Sequence, residues 1–281
     1  MHLGSLFAAV ASYLQARSRQ GKWLVRIDDL DSYRGVTGAA DDILATLEAF
    51  GLFWDDSVLF QSKQLESYHS ALDQLEQKQL LYPCVCTRKA LNQYYSLNSS
   101  ASICPGFCRN KQINEDHPHA LRINTENIDI SFTDQLQGKI TENLQQKHGD
   151  FILKRKDQII AYQLAVVIDD QIQQVTEIVR GIDLLDSTTR QIYLQQKLGI
   201  NSPLYMHIPV IVDHQGCKLS KQSFATAVER KEATTVLFKL LKLLRQSPPD
   251  ELYNAPVEQQ LVWATKHWNP TYLKKIRAIK Q

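Results

Sequence analysis

Two short motifs, far apart in the chain, carry residue types that suit nucleotide phosphates. His2-Leu3-Gly4-Ser5 opens an apolar-periodic segment, and Lys218-Leu219-Ser220-Lys221-Gln222 follows a glycine turn. The first turn of a helix offers free N–H groups and partial positive charge to an anion, and glycine permits close approach. Two lysines on a loop can neutralise charge that develops on a triphosphate. Taken alone, each motif is more often an ordinary helix cap or a solvated basic loop.

Four of the five cysteines, Cys84, Cys86, Cys104 and Cys108, fall within 25 residues, whereas Cys217 stands alone. Zinc prefers four thiolate or imidazole ligands in a tetrahedron, and a Cys-x-Cys pair with a Cys-x3-Cys pair could supply four thiolates. In a cytoplasmic chain such a cluster indicates a metal before disulfides. The spacing predicts one structural Zn²⁺ site, and disulfides or unlinked thiols are the alternatives.

These residues need a framework of helices and strands to position them. Apolar spacing predicts helices over residues 3–20, 38–50, 62–80 (with Ser62 as N-cap), 187–198, 233–246 and 257–281. Apolar and β-branched runs predict strands over 22–28, 120–124, 128–134, 150–156, 161–170, 174–181 and 206–213. Residues 83–120 hold the cysteines within a polar, Pro- and Gly-containing stretch, which is typical of an insertion. The order predicts an α/β fold, a Rossmann-like doubly wound parallel sheet split by a zinc-containing insertion, with a helical C-terminal tail.

Amino-acid composition and charge limit the classes of protein to which this chain can belong. The chain is 43% apolar without a run of about 18 apolar residues, so no membrane span is expected. No secretory signal is evident, which makes a cytoplasmic location the expectation. We also expect a monomer. Net charge is only +2, yet residues 231–281 hold nine Lys/Arg against four Asp/Glu. That segment suits a phosphate backbone, and a solvated helical surface is the alternative.

Together and in this order, the two phosphate motifs resemble the signatures of class I aminoacyl-tRNA synthetases. HLGS resembles their HIGH motif, and KLSKQ resembles their KMSKS loop. In that family an amino-acid carboxylate attacks the α-phosphate of ATP, with Mg²⁺ as the expected counter-ion, and the adenylate then passes its acyl group to an RNA hydroxyl. The resemblance implies that His2, Gly4 and Ser5 bind ATP and that Lys218 and Lys221 stabilise the departing pyrophosphate.

Three further segments resemble the glutamyl branch of that family. They are RIDDLDSYR (26–34), AYQLAVVIDD (161–170) and VTEIVRGIDLLDSTTRQ (175–191). The resemblance implies that Asp28 receives the substrate ammonium, that Tyr162 lines the amino-acid pocket from a strand, and that Arg180 binds a carboxylate. A guanidinium there favours glutamate over glutamine. The alternatives are a strand-end salt bridge, a core tyrosine, and a structural pair of Arg180 with Asp183 or Asp186.

The spacing of the cysteines and the length of the chain favour one group within the glutamyl branch. The Cys-x-Cys pair resembles the small glutamyl-queuosine enzymes, and only 59 residues follow Gln222, too few for the usual anticodon-binding domain. The resemblance implies activation of L-glutamate without tRNA, followed by transfer to queuosine at the wobble position of tRNA(Asp). A truncated ordinary glutamyl-tRNA synthetase and a non-catalytic tRNA-binding relative are the alternatives.

Four regions follow from this resemblance. Residues 1–82 and 160–215 would be the two halves of the catalytic domain, 83–159 the zinc-binding insertion, and 216–281 the KMSKS-like loop and helical tail.

Family members begin with a strand and an R-x-A-P-S/T-x-x-G turn before HLGS, whereas this chain starts one residue before His2. A misplaced start site, a truncated chain and a degenerate relative are the alternative explanations. In each case we expect this form to lack a central strand and to be impaired in folding or activity.

Overall fold

The computed structural model of the protein describes residues 1–31, 36–98, 103–104, 106–113, 117–216 and 228–280. Its helices are α1 (Leu3–Ser18), α2 (Ala39–Ala49), α3 (Leu65–Gln77), α4 (Arg88–Asn98), α5 (Leu144–Lys147), α6 (Tyr162–Ile172), α7 (Leu185–Leu198), α8 (Ala233–Leu243) and α9 (Val257–His267). Its strands are β1 (Arg26–Ile27), β2 (Leu59–Phe60), β3 (Leu81–Cys84), β4 (Ala120–Ile123), β5 (Asp129–Asp134), β6 (Gly138–Asn143), β7 (Phe151–Lys154), β8 (Glu177–Gly181), β9 (Leu204–Ile208), β10 (Val210–Val212) and β11 (Ala278–Lys280).

Helix α1 forms because its apolar side chains recur every four residues. Leu6, Val10 and Leu14 are all fully buried, which places one face of the helix against neighbouring elements. That face packs on β8, β10 and α9. Because the body of α1 is buried against these elements, the position of its N-terminal residues, His2 to Ser5, is set.

The central sheet is mixed, with the order β6-β5-β9-β8, and its strands β5, β9 and β8 are parallel. β8 and β9 pair in parallel over five residues, from Glu177 opposite Leu204 to Gly181 opposite Ile208. The last residue of β5, Asp134, pairs in parallel with Tyr205 of β9, and β5 and β6 form an antiparallel hairpin. β1 and β2 make a separate parallel pair. The prediction of an α/β fold with parallel strands is confirmed.

A groove of about 790 Å³ lies between the β1 segment and β8. Trp23 and Arg26 line it on one side, and Glu177 and Val179 line it on the other. Asp170, near the end of α6, also reaches this space. The groove therefore joins the exposed edge of β8 to the charged side chains around Arg26.

Two apolar cores hold these elements together. One gathers side chains of α1, α8 and α9 with β10, and the other gathers α3, α6, α7 and β5. A third, three-stranded antiparallel sheet, β3-β4-β7, carries Cys84 at the end of β3. Among the residues that the structure describes, no helix has the length and apolar character needed to cross a membrane.

The prediction of a strand over 161–170 is wrong, because Tyr162 begins helix α6. Leu164 to Ile168 are all buried. A continuous apolar run of this kind fits a buried helix as well as a buried strand, and periodicity does not separate the two. Tyr162 therefore projects from the first residue of a helix instead of from a strand.

Two helix boundaries also differ from the prediction. Helix α3 begins at Leu65, not at Ser62, because Ser62 N and Oγ donate to the carboxylate of Asp29 at 2.8 and 2.6 Å. The C-terminal helix ends at His267, and Pro270, which cannot continue a helical hydrogen-bond ladder, follows within three residues. The last described residues form strand β11 on β10.

Candidate active site

The first candidate group lies at the N-terminus of α1. His2 caps the helix because its Nδ1 accepts a hydrogen bond from Ser5 N at 3.2 Å, and Ser5 Oγ lies 2.9 Å from His2 Nε2. Gly4 lies between them in the same turn. The structure thus brings the predicted phosphate contacts together at a helix N-terminus, where free N–H groups attract anions.

The second phosphate motif, with Lys218 and Lys221, lies outside the described residues, which resume at Val228. Val228 N donates a hydrogen bond to Met1 O at 2.9 Å. The chain therefore returns to the start of α1 six residues beyond Gln222.

A cluster of carboxylates surrounds Arg26 beside β1. Arg26 Nε donates to Asp28 at 2.9 Å, and Nη1 donates to Asp170 at 2.8 Å. Asp169, fully buried, lies 3.5 Å from Arg26 Nε and accepts from Tyr68 Oη. Burial lowers the pKa of Arg26, but Asp28 and Asp170 raise it above the ordinary value. Three carboxylates against one guanidinium leave this side of the site negative, which suits an ammonium ligand.

The opposite side of the site is positive because it carries Arg180 of β8. Arg180 Nε donates to His207 Nε2 at 3.0 Å, Nη2 donates to Thr188 Oγ1 at 3.0 Å, and the guanidinium lies 5.5 Å from the centre of the Tyr205 ring. Asp186, one of the predicted structural partners, lies 3.8 Å from Lys147. These two hydrogen bonds of Arg180 thus go to neutral groups, while its charge also acts on the carboxylate of Asp170.

Tyr162 lies between these two sides. Its side chain is 39% exposed, and its hydroxyl is within electrostatic reach of Arg180, Arg26, Asp28 and Asp170. Desolvation in this recess raises the pKa of the Tyr162 hydroxyl even though part of the ring is open to solvent. Of the three predicted glutamate contacts, Asp28 and Arg180 therefore both act electrostatically on the third, Tyr162.

The residues behind Arg180 were not predicted from the sequence. His207 is fully buried in β9, and its Nδ1 lies 2.7 Å from Oδ2 of Asp134, at the end of β5. Thr188 lies in the second turn of α7, and Asp170 faces Arg26. A sequence feature that could have indicated His207 is its position as a polar residue within the otherwise apolar run MHIPVIV.

The cysteine cluster lies beside the three-stranded sheet. The Sγ atoms of Cys84, Cys86 and Cys108 all lie within 4.8 Å of one another, and Cys86 and Cys108 are 3.6 Å apart. Cys104 shares a hydrogen bond with Cys84, which lowers the pKa of the Cys84 thiol to about 4. None of these four described cysteines forms a disulfide.

Residues around the cysteines suit a bound Zn²⁺. Arg122, only 8% exposed, donates from Nη1 to Asp150 O at 2.7 Å, while its buried Nε has no partner. Arg122 also hydrogen-bonds Cys84 and lowers the pKa of that thiol. Asp150 accepts from Tyr82 Oη and from two nitrogens of Arg109, each at 2.6 Å. A guanidinium beside thiolates compensates the negative charge of a thiolate–zinc centre, so the donor set fits the metal.

Known proteins match this chain over nearly its whole length. The family model of class I tRNA synthetases of the E and Q type, catalytic domain, matches residues 1–245. A glutamyl-Q tRNA(Asp) synthetase from a Synechococcus species is 46% identical over 278 residues, covering 98% of this chain and 93% of the relative. The enzyme of the same name from Pseudomonas aeruginosa is 43% identical, covering 100% and 94%. That from Thiobacillus denitrificans is 45% identical, covering 96% and 89%.

A solved structure shows the same fold. A glutamate tRNA ligase from Elizabethkingia meningosepticum, crystallised with its amino acid, superposes with a TM-score of 0.82 at 22% identity. The match covers 100% of this chain and 64% of the ligase, so the chain spans just under two thirds of that larger protein. With the relatives above, this establishes that the chain belongs to the glutamyl-Q tRNA(Asp) synthetase family, within the class I, glutamate-activating aminoacyl-tRNA synthetases.

Proposed function

We propose that the protein activates L-glutamate with ATP in the absence of tRNA and then transfers the glutamyl group to queuosine at the wobble position of tRNA(Asp). The observation that supports the amino-acid part is that the negative charge of Asp28 and the positive charge of Arg180 both act on Tyr162. A free amino acid has both charges that such an arrangement complements. The names of the most similar relatives support the RNA target.

Each residue has a role in this reaction. The α-carboxylate oxygen of glutamate attacks the α-phosphorus of ATP, the α–β bridging bond breaks, and pyrophosphate leaves. His2 and Ser5, with the N–H groups of the first turn of α1, contact the phosphates. Lys218 and Lys221 neutralise the departing pyrophosphate, and Mg²⁺ bound with ATP would supply further positive charge there. A queuosine hydroxyl then attacks the acyl carbon, and AMP leaves.

Glutamate is preferred to glutamine because of Arg180. A guanidinium gains a charge-assisted, two-point contact with a carboxylate, whereas an amide offers no charge and turns an N–H donor toward it. Asp28 holds the α-ammonium, assisted by Asp170. Both are already fixed by Arg26 at 2.9 and 2.8 Å, so little rearrangement is needed on binding.

Zn²⁺ would be held by Cys84, Cys86, Cys104 and Cys108 and would supply structural cross-linking of the insertion. The cysteines are joined through Arg122, Asp150 and Tyr82 to the β3-β4-β7 sheet. This network lets the metal stabilise the whole insertion without contacting the reacting groups.

The decisive experiment is glutamate-dependent ATP–pyrophosphate exchange without tRNA, followed by transfer of labelled glutamate to tRNA(Asp) with and without queuosine. We expect exchange without tRNA, and label only on the queuosine-containing tRNA. Nuclease mapping separates the anticodon from the 3′ end. Label on the 3′-terminal ribose would identify an ordinary glutamyl-tRNA synthetase, and tRNA binding without exchange would identify a non-catalytic relative.

A further inference from the structure

A buried, hydrogen-bonded histidine–aspartate pair stands directly behind the pocket arginine. His207 and Asp134 are 0% and 1% exposed, and they lie on neighbouring strands β9 and β5 of the central sheet. His207 Nδ1 is 2.7 Å from Asp134 Oδ2, and His207 Nε2 is 3.0 Å from Arg180 Nε. Ionisable groups are rarely buried so completely unless they are paired.

Chemistry fixes the direction of each hydrogen bond. A guanidinium has only donors, so Arg180 Nε must donate and His207 Nε2 must accept. The proton of a neutral imidazole is then on Nδ1, where it is donated to the Asp134 carboxylate. Burial lowers the pKa of His207, and the charge of Arg180 lowers it further. The neutral Nδ1–H tautomer is therefore the form that this arrangement accommodates.

A second acceptor sets the plane of the guanidinium. Arg180 Nη2 donates to Thr188 Oγ1 at 3.0 Å, and Thr188 Oγ1 lies 3.3 Å from His207 Nε2. Two acceptors on different elements, β9 and α7, hold two of the five N–H donors of Arg180. The other donors remain for a ligand in the pocket that Arg180 shares with Tyr162.

We propose that Asp134 and His207 are positioning residues, which orient Arg180 so that the pocket selects glutamate over glutamine. This inference rests on the proposed function for the identity of the ligand. Asp134 selects the tautomer of His207, His207 presents a fixed acceptor to Arg180, and Arg180 presents its remaining donors to the substrate carboxylate. A small misplacement of such a contact weakens binding even when the charge is retained.

The backbone around Asp134 does not depend on the imidazole. Asp134 also accepts from Leu136 N, Gln137 N and His207 N, at 3.0, 2.8 and 3.0 Å. These three N–H groups remain when the side chain of residue 207 is changed. The hydrogen bonds from Asp134 through His207 to Arg180 form a relay. Substitution of His207 therefore tests this relay without removing the backbone contacts that hold the end of β5 in place.

The kinetic test compares His207→Gln, which keeps an acceptor for Arg180, with His207→Leu, which removes it. We expect His207→Leu to raise the KM for glutamate in ATP–pyrophosphate exchange by roughly 10- to 100-fold, with a smaller effect on kcat, because a hydrogen bond to a charged group is lost. Preference for glutamate over glutamine should fall in parallel, and His207→Gln should restore most of both. Gln260→Leu is the matched control, since Gln260 is equally buried and donates to Thr234 O and Ala255 O in the C-terminal region.

The spectroscopic test needs no activity. Long-range ¹H–¹⁵N spectra of the full chain should show His207 as the neutral Nδ1–H tautomer, and Asp134→Asn should shift it toward Nε2–H and raise the KM for glutamate. An Nε2–H tautomer in the wild type, or a His207→Leu variant with unchanged KM and selectivity, would overturn the relay. Equal losses in His207→Gln and His207→Leu would also overturn it. Absence of exchange in a wild type with the Nδ1–H tautomer would instead refute the proposed function.

Discussion

In the proposed pocket the ammonium contact is made mainly by Asp28, which accepts from Arg26 Nε at 2.9 Å and is 44% exposed, with Asp170 beside it. We expect Asp28→Asn to raise the KM for glutamate in pyrophosphate exchange by roughly 10- to 100-fold, because a neutral amide does not compensate the charge of the ammonium. Asp28→Glu should retain activity within about threefold, since it keeps the charge.

The neighbouring aspartate provides a matched control. Asp29 accepts from Ser62 N and Oγ and holds the turn before α3. Asp29→Asn should therefore lower thermal stability and leave the KM for glutamate unchanged. An Asp28→Asn variant that binds glutamate normally would show that Asp28 serves only as a partner of Arg26.

Two buried histidines should make stability depend on pH. Burial lowers the pKa of both His207 and His148 in the folded protein. The unfolded chain therefore binds more protons below the ordinary histidine pKa of about 6.5, and stability that is complete above that value is lost as the pH falls. We expect the free energy of unfolding to decrease by up to about 1.4 kcal/mol per pH unit for each histidine as the pH falls below about 6.5.

Urea titrations at several pH values measure this slope. The combined variant His207→Gln and His148→Gln should flatten it, whereas a change at the exposed His267 should not. A wild-type slope that survives in the combined variant would assign the pH dependence to other groups.

At the scale of single elements, the N-terminus of α1 has an observed role in capping and a proposed role in ATP binding, which substitution can separate. His2→Asn keeps an acceptor for the Ser5 N–H, and His2→Ala removes it. We expect both variants to lose most of the exchange activity, because the imidazole donor to ATP is gone. Only His2→Ala should lower the free energy of unfolding, by about 1 kcal/mol. Full exchange in His2→Asn would restrict His2 to capping.

The β3-β4-β7 sheet should depend on zinc. We expect one zinc per chain by elemental analysis, and loss of it in Cys84→Ser or Cys108→Ser, with a lower Tm. The KM for glutamate should change little, because Asp28, Tyr162 and Arg180 lie on other elements. Cys217→Ser is the control for zinc content. Zinc retained in Cys108→Ser would contradict the assigned ligand set.

Helices α1 and α6 show where sequence patterns predict the secondary structure and where they do not. The stripe of Leu6, Val10 and Leu14 predicts α1 because a surface-lying helix needs one apolar face. The run from Leu164 to Ile168 does not distinguish helix from strand, since it is buried on every side. Family resemblance predicts that Tyr162 lines the amino-acid pocket, which stays a prediction, and the strand expected to carry Tyr162 is a helix.

At the scale of the whole molecule, contacts between distant segments were beyond prediction from local patterns. His207 and Asp134 are 73 residues apart in sequence and meet only because β5 and β9 are neighbours. Nothing in either segment alone specifies that pairing. Three of the four cysteines predicted as ligands, Cys84, Cys86 and Cys108, do lie together. Their grouping was predictable because metal ligands of this kind are closely spaced in sequence, whereas a relay through a sheet imposes no such spacing.

Charge is also distributed unevenly over the molecule. All nine Lys and Arg residues of the segment 231–280 are exposed, and such a surface suits an RNA backbone. We expect the triple change of Lys239, Lys242 and Arg245 to Gln to weaken tRNA(Asp) binding and to reduce the salt dependence of log Kd by roughly one unit per lost phosphate contact. Exchange without tRNA should be unchanged.

A matched control changes three exposed lysines outside that segment to Gln: Lys63, Lys78 and Lys139. This control distinguishes tRNA binding by the C-terminal surface from an effect of the net charge of the protein. If the C-terminal segment binds the phosphate backbone, the first triple lowers both affinity and salt slope, and the second does so less. Because the two triples remove the same charge, equal losses would indicate a diffuse electrostatic attraction. No loss in the first triple would show that the basic residues of α8 and Arg245 serve only as a solvated surface, and that tRNA approaches the pocket from another side.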